Sequence, residues 1–297
     1  MQKSFDFSVD AINRLAKADV AHALAEDVGA GDLTAGLIAP TRMAQARVLA
    51  RESALICGQA WVQAAILALD PQATINWHVT DGQRCEANQV VFEVTGRAQA
   101  LLTAERTALN FLQLLSAVAT KTAVYVAAVA GTRAAIVDTR KTLPGLRLAQ
   151  KYAVRTGGGT NHRVGLYDAV LVKENHIAAA GGIAQVLQQA STAAAQADFV
   201  EIEVETLAQL REALDAGARM VLLDNMDMGT LQEAVRINDA MGERRAILEI
   251  SGGVTLDGLR ALAETGVDRI SIGTLTKDVQ AIDFSMRFKS FAATATP

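Results

Sequence analysis

The arrangement of apolar residues divides the chain into two patterns. Up to about residue 97, apolar and polar residues alternate in short stretches such as QARVLARES, which end at Asp-Gly and Thr-Gly turns. A period of two predicts antiparallel strands that bury one face. A helix over residues 9–27 and an apolar helix, AWVQAAILALD, are predicted beside these strands. We therefore expect an α+β layer in this part of the chain.

The second pattern follows a long helix predicted over residues 103–130. Short apolar runs rich in β-branched residues alternate with helical stretches, many of which end at glycine. Strands that are apolar throughout are typical of a parallel sheet. Six of them in under half the chain indicate a barrel or near-barrel, although the period alone also fits an open doubly wound sheet. The runs are AAIVDTR, AVLVKE, FVEIEVE, MVLLDN, AILEISGG and RISIGT.

Polar or ionisable residues follow nearly every one of these runs. In a barrel the carboxyl ends of the strands meet at one mouth, which would bring these side chains together and favours a barrel over an open sheet. The cations suit carboxylates or phosphates. The acids could bind Mg²⁺ or ribose hydroxyls, stabilise a cationic transition state, or balance the cations. The residues at the strand ends are Asp138 to Lys141, Lys173, Glu203, Asp224, Ser251 and Gly273.

Two features of this pattern leave alternatives open. In EIEVE the period of two puts Glu201, Glu203 and Glu205 on one face, so the pattern does not single out Glu203. Arg106 follows Glu105 on a predicted helix, where it could equally be a substrate ligand or a surface charge.

Three glycine-containing loops are candidates for binding an anion. SGGV (251–254) and SIGT (271–274) each follow a strand, where small residues let backbone N–H groups approach a phosphate. In TGGGTNHR (156–163) the glycines are expected to let the chain turn tightly, so that His162 and Arg163 point into a pocket.

Composition and charge restrict the possible functions. The chain has 51% hydrophobic and 20% charged residues and a formal net charge of -4, which argues against nucleic-acid binding by bulk positive potential. Cys57 and Cys85 have no metal-binding or redox spacing, so we predict inert thiols in a reducing compartment. No apolar signal-peptide core and no apolar stretch of membrane-spanning length were recognised, so no membrane partner and a cytoplasmic location are predicted.

Several motifs together resemble the quinolinate phosphoribosyltransferases, which are type II phosphoribosyltransferases also called nicotinate-nucleotide pyrophosphorylases (carboxylating). The resemblance covers essentially the whole chain in order, and DTRKT and NHRVGLYD are its most specific parts. It implies an α/β fold with an N-terminal α/β sandwich (residues 1–115), on which the tail (279–297) packs, and an incomplete, seven-stranded TIM-like α/β barrel (116–278). The other motifs are EDVGAGDLT, ERTALNFLQLLSAVAT, VEIEVET, LLDN, EISGGV and SIGTLT.

The resemblance also implies a reaction and a set of site residues. Quinolinate and phosphoribosyl pyrophosphate would give nicotinate mononucleotide, pyrophosphate and CO₂, with Mg²⁺ and without an organic cofactor. A homodimer is implied in which Arg106 reaches the partner's site. Lys141, Glu203 and Asp224 are the candidate catalytic residues, and Glu203 and Asp224 the candidate metal ligands. The quinolinate pocket would contain Arg140, His162, Arg163 and Lys173 beside Thr139 and Lys141, and the 5′-phosphate would lie against Ser251, Gly252, Gly253, Ile272, Gly273 and Thr274.

Three other functions remain open at this stage. A sister type II enzyme acting on nicotinate, a monocarboxylate, would need fewer cations than this chain carries. A phosphate-binding barrel lyase or isomerase would keep the two phosphate loops but would have no use for so many cations opposite them. A protein that only binds the ligands would not release CO₂.

Overall fold

The computed structural model of the protein describes residues 5–291, which fall into two compact units. The antiparallel unit comprises Asp6–Ala123, Leu143–Gly158 and residues 278–291. The parallel unit comprises Val124–Thr142 and Gly159–Lys277, together with Phe5. The domain limits drawn from the sequence stay a prediction.

The antiparallel unit is built on a four-stranded sheet with the strand order β12-β1-β5-β3 and a separate pair, β2 and β4. Its strands are β1 (Met43–Ala50), β2 (Ala54–Leu55), β3 (Thr74–Trp77), β4 (Arg84–Cys85), β5 (Val90–Arg97) and β12 (Phe284–Phe291), and its helices are α1 (Val9–Val28), α2 (Gln59–Leu69), α4 (Arg147–Thr156) and most of α3 (Ala98–Ala128). Buried residues alternate along β1, which confirms the predicted period of two. Strand β12 pairs with β1, so residues 284–291 of the predicted tail join this sheet, whereas residues 292–297 lie outside the described residues.

Helices α2 and α4 are joined by one partly buried carboxylate in the antiparallel unit. Asp81 accepts hydrogen bonds from the backbone N–H groups of Gly58 and Gln59, where α2 begins, and from the Tyr152 hydroxyl at 2.9 Å. Burial raises the pKa of Asp81. Trp61 of α2 packs against the Tyr152 ring with 5.6 Å between centroids. These contacts hold α4 against the start of α2.

The first glycine of the GGG sequence is required by packing. Gly157 follows α4, and a Cβ atom there would lie 2.5 Å from the carbonyl oxygen of Ala119 and 2.7 Å from Cβ of Thr122, both on α3. Only glycine allows this approach of the two helices. Gly158 has φ +86°, so it makes the turn that the sequence predicted at this position.

Helix α3 is long and apolar enough to cross a membrane, with a mean hydropathy of 1.4 over its most apolar 18 residues. The expectation that no apolar stretch of this chain has that length was therefore wrong. Half of that window is buried inside the protein, so packing accounts for part of its apolar character.

The parallel unit contains a six-stranded parallel sheet with the strand order β6-β11-β10-β9-β8-β7. Its strands are β6 (Ala135–Val137), β7 (Val170–Val172), β8 (Val200–Val204), β9 (Met220–Asp224), β10 (Ile247–Ser251) and β11 (Arg269–Ser271), and its helices are α5 (Glu174–Ala180), α6 (Ile183–Ala194), α7 (Leu207–Asp215), α8 (Met228–Asp239), α9 (Leu259–Glu264) and α10 (Thr274–Lys277). Each of the six apolar runs forms one of these strands. A single parallel bridge from Thr160 to Val137 stands beside β6, where a seventh strand is expected.

These two units confirm the predicted fold class, an α/β sandwich with an antiparallel sheet and an incomplete α/β barrel. Two single-turn 3-10 helices, Ala35–Leu37 and Gly242–Arg244, complete the regular structure of the described residues. The parallel sheet matters most for function, because all its strands run in one direction and end at one edge.

Candidate active site

The carboxyl ends of the parallel strands carry most of the predicted site residues. Asp224, the last residue of β9, stands opposite Ser251, the last residue of β10, in the strand register. Thr139, Arg140 and Lys141 follow β6, Lys173 follows β7, and Ile272 to Thr274 follow β11. Arg106 is the exception, because it lies on α3 in the antiparallel unit.

Lys173 and Glu203 form an ion pair at this edge. The Lys173 Nζ atom lies 2.6 Å from Glu203 Oε2, and the Lys173 side chain is 44% exposed against 10% for Glu203. The three glutamates of EIEVE differ in environment, since Glu201 is buried, Glu203 is partly buried and Glu205 is exposed. The structure thus distinguishes the three glutamates, which the period of two had placed on one face without distinction.

Arg140 and Arg163 lie close enough to repel each other. Burial, and then the charge of Arg140, lower the pKa of the Arg163 guanidinium, and the carboxylates of Asp168 and Glu201 act in the opposite direction. Bringing two guanidinium groups together costs free energy that an anion between them would recover. This arrangement is what a prebuilt site for a carboxylate or phosphate requires.

The loop after β11 packs against the residues that follow β6. A Cβ atom added to Gly273 would lie 2.9 Å from Cδ of Lys141 and 3.6 Å from Oγ1 of Thr139. The Lys141 N–H donates to Thr139 Oγ1 at 3.0 Å, and Thr276 Oγ1 donates to the Lys141 carbonyl at 2.8 Å. The DTRKT motif and the SIGT loop therefore form one surface.

The loops after β9 and β10 also fit together. Gly252 has φ +105°, and a Cβ atom on it would lie 3.3 Å from the backbone nitrogen of Asn225. Asn225 itself has φ +52°, and its N–H donates to the Ser251 carbonyl at 3.2 Å. Asparagine is one of the few residues that adopt this conformation readily. No sequence pattern singled out Asn225, whose N–H ties the residue after Asp224 to the start of the SGG loop.

The His162 side chain points into the interior of the protein. Its Nε2 atom lies 2.8 Å from Glu201 Oε2, its Nδ1 atom accepts the Arg163 N–H at 2.7 Å, and the residue is only 8% exposed. Asp138 fixes the backbone here by accepting the His162 N–H at 2.8 Å and the Asn161 side-chain amide at 2.6 Å. The sequence placed His162 among the pocket residues but did not predict these partners.

His162 belongs to a group of polar side chains that we call the inner cluster: the buried His162, Glu201 and Glu249, and the partly buried Arg269. Glu249 Oε1 is 3.6 Å from His162 Nε2, and Arg269 Nε is 2.8 Å from Glu249 Oε2. His162, Glu201 and Glu249 are close enough to hold a metal ion, but the Arg269 guanidinium already supplies positive charge. A glutamate inside each of the apolar strands VEIEV and ILEIS was the one signal of this cluster in the sequence.

The inner cluster predicts a pH dependence of stability. Burial, and then the charge of Glu201, raise the pKa of Glu249 to about 7, above the value of about 4.3 for an unperturbed glutamate. The native state therefore binds more protons in this window, so the contribution of Glu249 to stability is lost as the pH rises through 7. Relative to Glu249→Gln, the wild type should lose unfolding free energy between about pH 5 and 8, by at most about 1.4 kcal/mol per pH unit.

Urea unfolding of both proteins at the two pH values measures this difference. Glu243→Gln, at an exposed glutamate of the same unit, is the matched control and should track the wild type at both pH values. A difference between wild type and Glu249→Gln that does not change with pH would contradict the prediction.

A parallel sheet with clustered cations and glycine loops at its carboxyl edge defines an α/β enzyme that acts on anionic small molecules. The family is given by sequence comparison. Residues 32–116 match the model of the quinolinate phosphoribosyl transferase N-terminal domain, and residues 118–287 match that of the C-terminal domain. The chain belongs to the quinolinate phosphoribosyltransferase family.

Individual relatives agree with this assignment. The chain is 41% identical over 265 residues to the probable nicotinate-nucleotide pyrophosphorylase (carboxylating) of Bacillus subtilis, covering 89% of this chain and 90% of that protein. The Mycobacterium leprae enzyme of that name is 39% identical over 291 residues, covering 95% and 97%. The solved nicotinate-nucleotide pyrophosphorylase of Francisella tularensis is 42% identical with a TM-score of 0.88, covering 93% and 97%.

The fold extends to more distant proteins. The human nicotinic acid phosphoribosyltransferase aligns with a TM-score of 0.61 over 94% of this chain and 74% of its own, at 14% identity. At that identity the likeness shows the fold alone. Choosing between quinolinate and nicotinate as substrate therefore depends on the side chains at the site.

Proposed function

We propose that the protein is a quinolinate phosphoribosyltransferase that converts quinolinate and phosphoribosyl pyrophosphate into nicotinate mononucleotide, pyrophosphate and CO₂, a step in NAD synthesis. The observation that carries the proposal is the position of Arg140, Lys141 and Lys173 at the carboxyl edge of the parallel sheet, where the two glycine loops also lie. The family assignment supports the same reaction.

The cations suit a dicarboxylate better than a monocarboxylate. Quinolinate carries two carboxylates on adjacent ring carbons, so several fixed positive charges are needed within a small space. Arg140, Arg163 and Lys173 provide them in this proposal. Arginine also keeps its proton, so its guanidinium does not protonate the ring nitrogen that must act as nucleophile.

The acids and the glycine loops suit phosphoribosyl pyrophosphate. Glu203 is placed to stabilise positive charge that develops on the ribose as pyrophosphate leaves. The backbone N–H groups of Ser251 to Gly253 and of Ile272 to Thr274 would bind the 5′-phosphate. Lys141, next to Gly273, adds a positive charge beside this phosphate site.

Magnesium fits one side of this site. Carboxylate oxygens are ligands that Mg²⁺ accepts, together with substrate phosphates. Asp224 suits the role better than Glu203, because the Oε2 atom of Glu203 already lies 2.6 Å from Lys173 Nζ. When bound, the metal would neutralise charge on the departing pyrophosphate. Asp224 would orient it, and Asn225 holds the backbone of Asp224 in place.

The reaction then requires positioning more than proton transfer. The quinolinate ring nitrogen attacks the ribose carbon and the bond to pyrophosphate breaks, which leaves a cationic ring nitrogen. The carboxylate on the ring carbon next to this nitrogen then departs as CO₂. The electrons of the broken carbon–carbon bond stay on that ring carbon, beside the cationic nitrogen, until the carbon takes up a proton. The ring itself stabilises the charge, so an organic cofactor is not needed. Holding the two substrates together supplies much of the acceleration.

We further propose that the site is completed in a homodimer, as the family resemblance implies. Arg106 would reach quinolinate from the partner subunit. Closed two-fold dimers are the commonest protein assemblies. A cytoplasmic location remains part of the proposal, in keeping with two buried, unpaired cysteines.

The proposed function is tested by incubation with quinolinate, phosphoribosyl pyrophosphate and Mg²⁺, followed by chromatography for nicotinate mononucleotide. Nicotinate in place of quinolinate separates this function from that of the sister enzyme. Product from quinolinate and little from nicotinate is the expected result. Product from nicotinate at an equal or higher rate would transfer the assignment to the sister enzyme.

Gly273→Ala is expected to raise the KM for phosphoribosyl pyrophosphate by about tenfold or more. The added Cβ atom would lie 2.9 Å from Cδ of Lys141, so the Lys141 side chain or the SIGT loop must move. Initial rates at saturating quinolinate measure this effect. Gly36→Ala, where no atom lies within 4 Å of an added Cβ and φ is not in the left-handed region, tests for a general effect of glycine replacement. An unchanged KM in a folded Gly273→Ala protein would remove the SIGT loop from the phosphate site.

A further inference from the structure

The inner cluster is the part of the parallel unit whose chemistry the proposed reaction does not use. Glu201 on β8 and Glu249 on β10 are fully buried, and Arg269 on β11 and His162 reach them. The ring of His162 also packs edge-on against Phe199, with 5.3 Å between centroids. Burying two carboxylates inside a sheet is costly unless they are paired with cations and hydrogen-bonded.

The hydrogen bonds of His162 define the position of its ring hydrogen. Because the backbone N–H of Arg163 donates to Nδ1, that nitrogen carries a lone pair and no hydrogen. The hydrogen is therefore on Nε2 and is donated to Glu201 Oε2 at 2.8 Å. With both nitrogens engaged inside the protein, the ring is used to hold the loop and not to bind substrate.

Glu201 is the residue on which this arrangement depends. A carboxylate that accepts from one ring nitrogen fixes the orientation and tautomer of a histidine. The other nitrogen then holds the backbone of Arg163, whose guanidinium lies near that of Arg140. The chain of contacts thus runs from a buried glutamate to a residue of the proposed quinolinate pocket.

We propose that Glu201 is a positioning residue for quinolinate binding: it holds His162 as the Nε2–H tautomer, and the Nδ1 atom of His162 in turn fixes Arg163 beside Arg140. This inference rests on the proposed function for its kinetic consequence. Its structural part, the tautomer, stands independently of the reaction.

Kinetics test the consequence. Glu201→Leu is expected to raise the KM for quinolinate by about 10- to 100-fold, the range seen when the partner of a metal-binding histidine is removed, and to leave the KM for phosphoribosyl pyrophosphate within about twofold. Glu201→Gln keeps an oxygen that can accept from Nε2 and should retain most of the quinolinate affinity. Glu205→Leu, at the exposed glutamate that directly follows β8, is the matched control.

The ring nitrogens of His162 test the tautomer without turnover. The chain has four histidines, so nitrogen-15 labelling of histidine gives few signals, and His162→Gln identifies the one of interest. The wild type should show a protonated Nε2 and an unprotonated Nδ1, and this pattern should change in Glu201→Leu. A hydrogen on Nδ1 of the wild type, or an unchanged signal in a folded Glu201→Leu protein, would overturn the inference.

The two proposals fail in different ways. A wild type that makes no product defeats the proposed function, while the nitrogen signals still decide the tautomer. An active wild type whose Glu201→Leu variant keeps its quinolinate KM defeats the positioning role alone. If Glu201→Leu does not fold, the nitrogen-15 signals of His162 in the wild type and in Glu201→Gln test the inference. A hydrogen on Nδ1 of His162 in either protein counts against it.

Discussion

Arg163→Ala is expected to lower kcat/KM for quinolinate by about two to three orders of magnitude. Truncating one partner of a buried, hydrogen-bonded charge pair costs about 2–5 kcal/mol, and each 1.4 kcal/mol is about tenfold. The effect should appear largely in the quinolinate KM if the guanidinium binds the ground state and transition state alike. Arg163→Lys keeps the charge but loses the planar fork, so it should fall between alanine and wild type.

Steady-state kinetics with each substrate varied in turn measure this prediction. Arg236→Ala removes a guanidinium whose side chain is 75% exposed on α8, which makes it a matched control with no expected effect. A loss of less than about tenfold in folded Arg163→Ala would exclude a charge-assisted bond between Arg163 and substrate.

Arg106→Ala is expected to abolish turnover without unfolding the protein, because its guanidinium is proposed to act in the partner's site. Lys173→Ala should be inactive as well, for loss of a cation in its own parallel unit. When the two inactive proteins are mixed and exchange subunits at random, half of the dimers are hybrids with one intact site of two. Recovery of about a quarter of the wild-type activity is therefore expected.

Subunit exchange has to be proven separately, for example by mass spectrometry of differently labelled subunits. Each variant incubated alone is the control and should stay inactive. No recovery of activity in a mixture that contains hybrid dimers would contradict the shared site and would leave Arg106 without a role in the partner's pocket.

The sequence was sufficient to predict the parallel sheet because its strands are buried on both faces. VLV in β7 is apolar throughout, β9 is apolar up to its last residue, Asp224, and each strand is followed by a helix, so few other structures fit. The carboxyl ends of such strands share an edge by geometry, which is why the sequence predicts that Asp224 and Ser251 lie together. The seventh strand that the family resemblance implied is not among them: the parallel sheet of the described residues has six strands, with one isolated bridge from Thr160 to Val137 beside β6.

The side-chain network behind the site could not be predicted from the sequence. Alternation assigns a residue to a face of a strand but does not say which carboxylate is buried, so Glu201 and Glu203 looked alike. The inward turn of His162 depends on a glutamate 39 positions away, and such a contact leaves no periodic signal. The backbone of Asn225 at φ +52° likewise depends on the neighbouring loop at Gly252.

The most direct test of the account is the amount of CO₂ released per pyrophosphate formed, measured with quinolinate labelled in the carboxyl group beside the ring nitrogen. The clustered cations are proposed to bind a dicarboxylate that loses one carboxylate after glycosylation. We predict one labelled CO₂ for each pyrophosphate, and none in the absence of phosphoribosyl pyrophosphate. Pyrophosphate formation without CO₂, or equal turnover of nicotinate, would contradict the account.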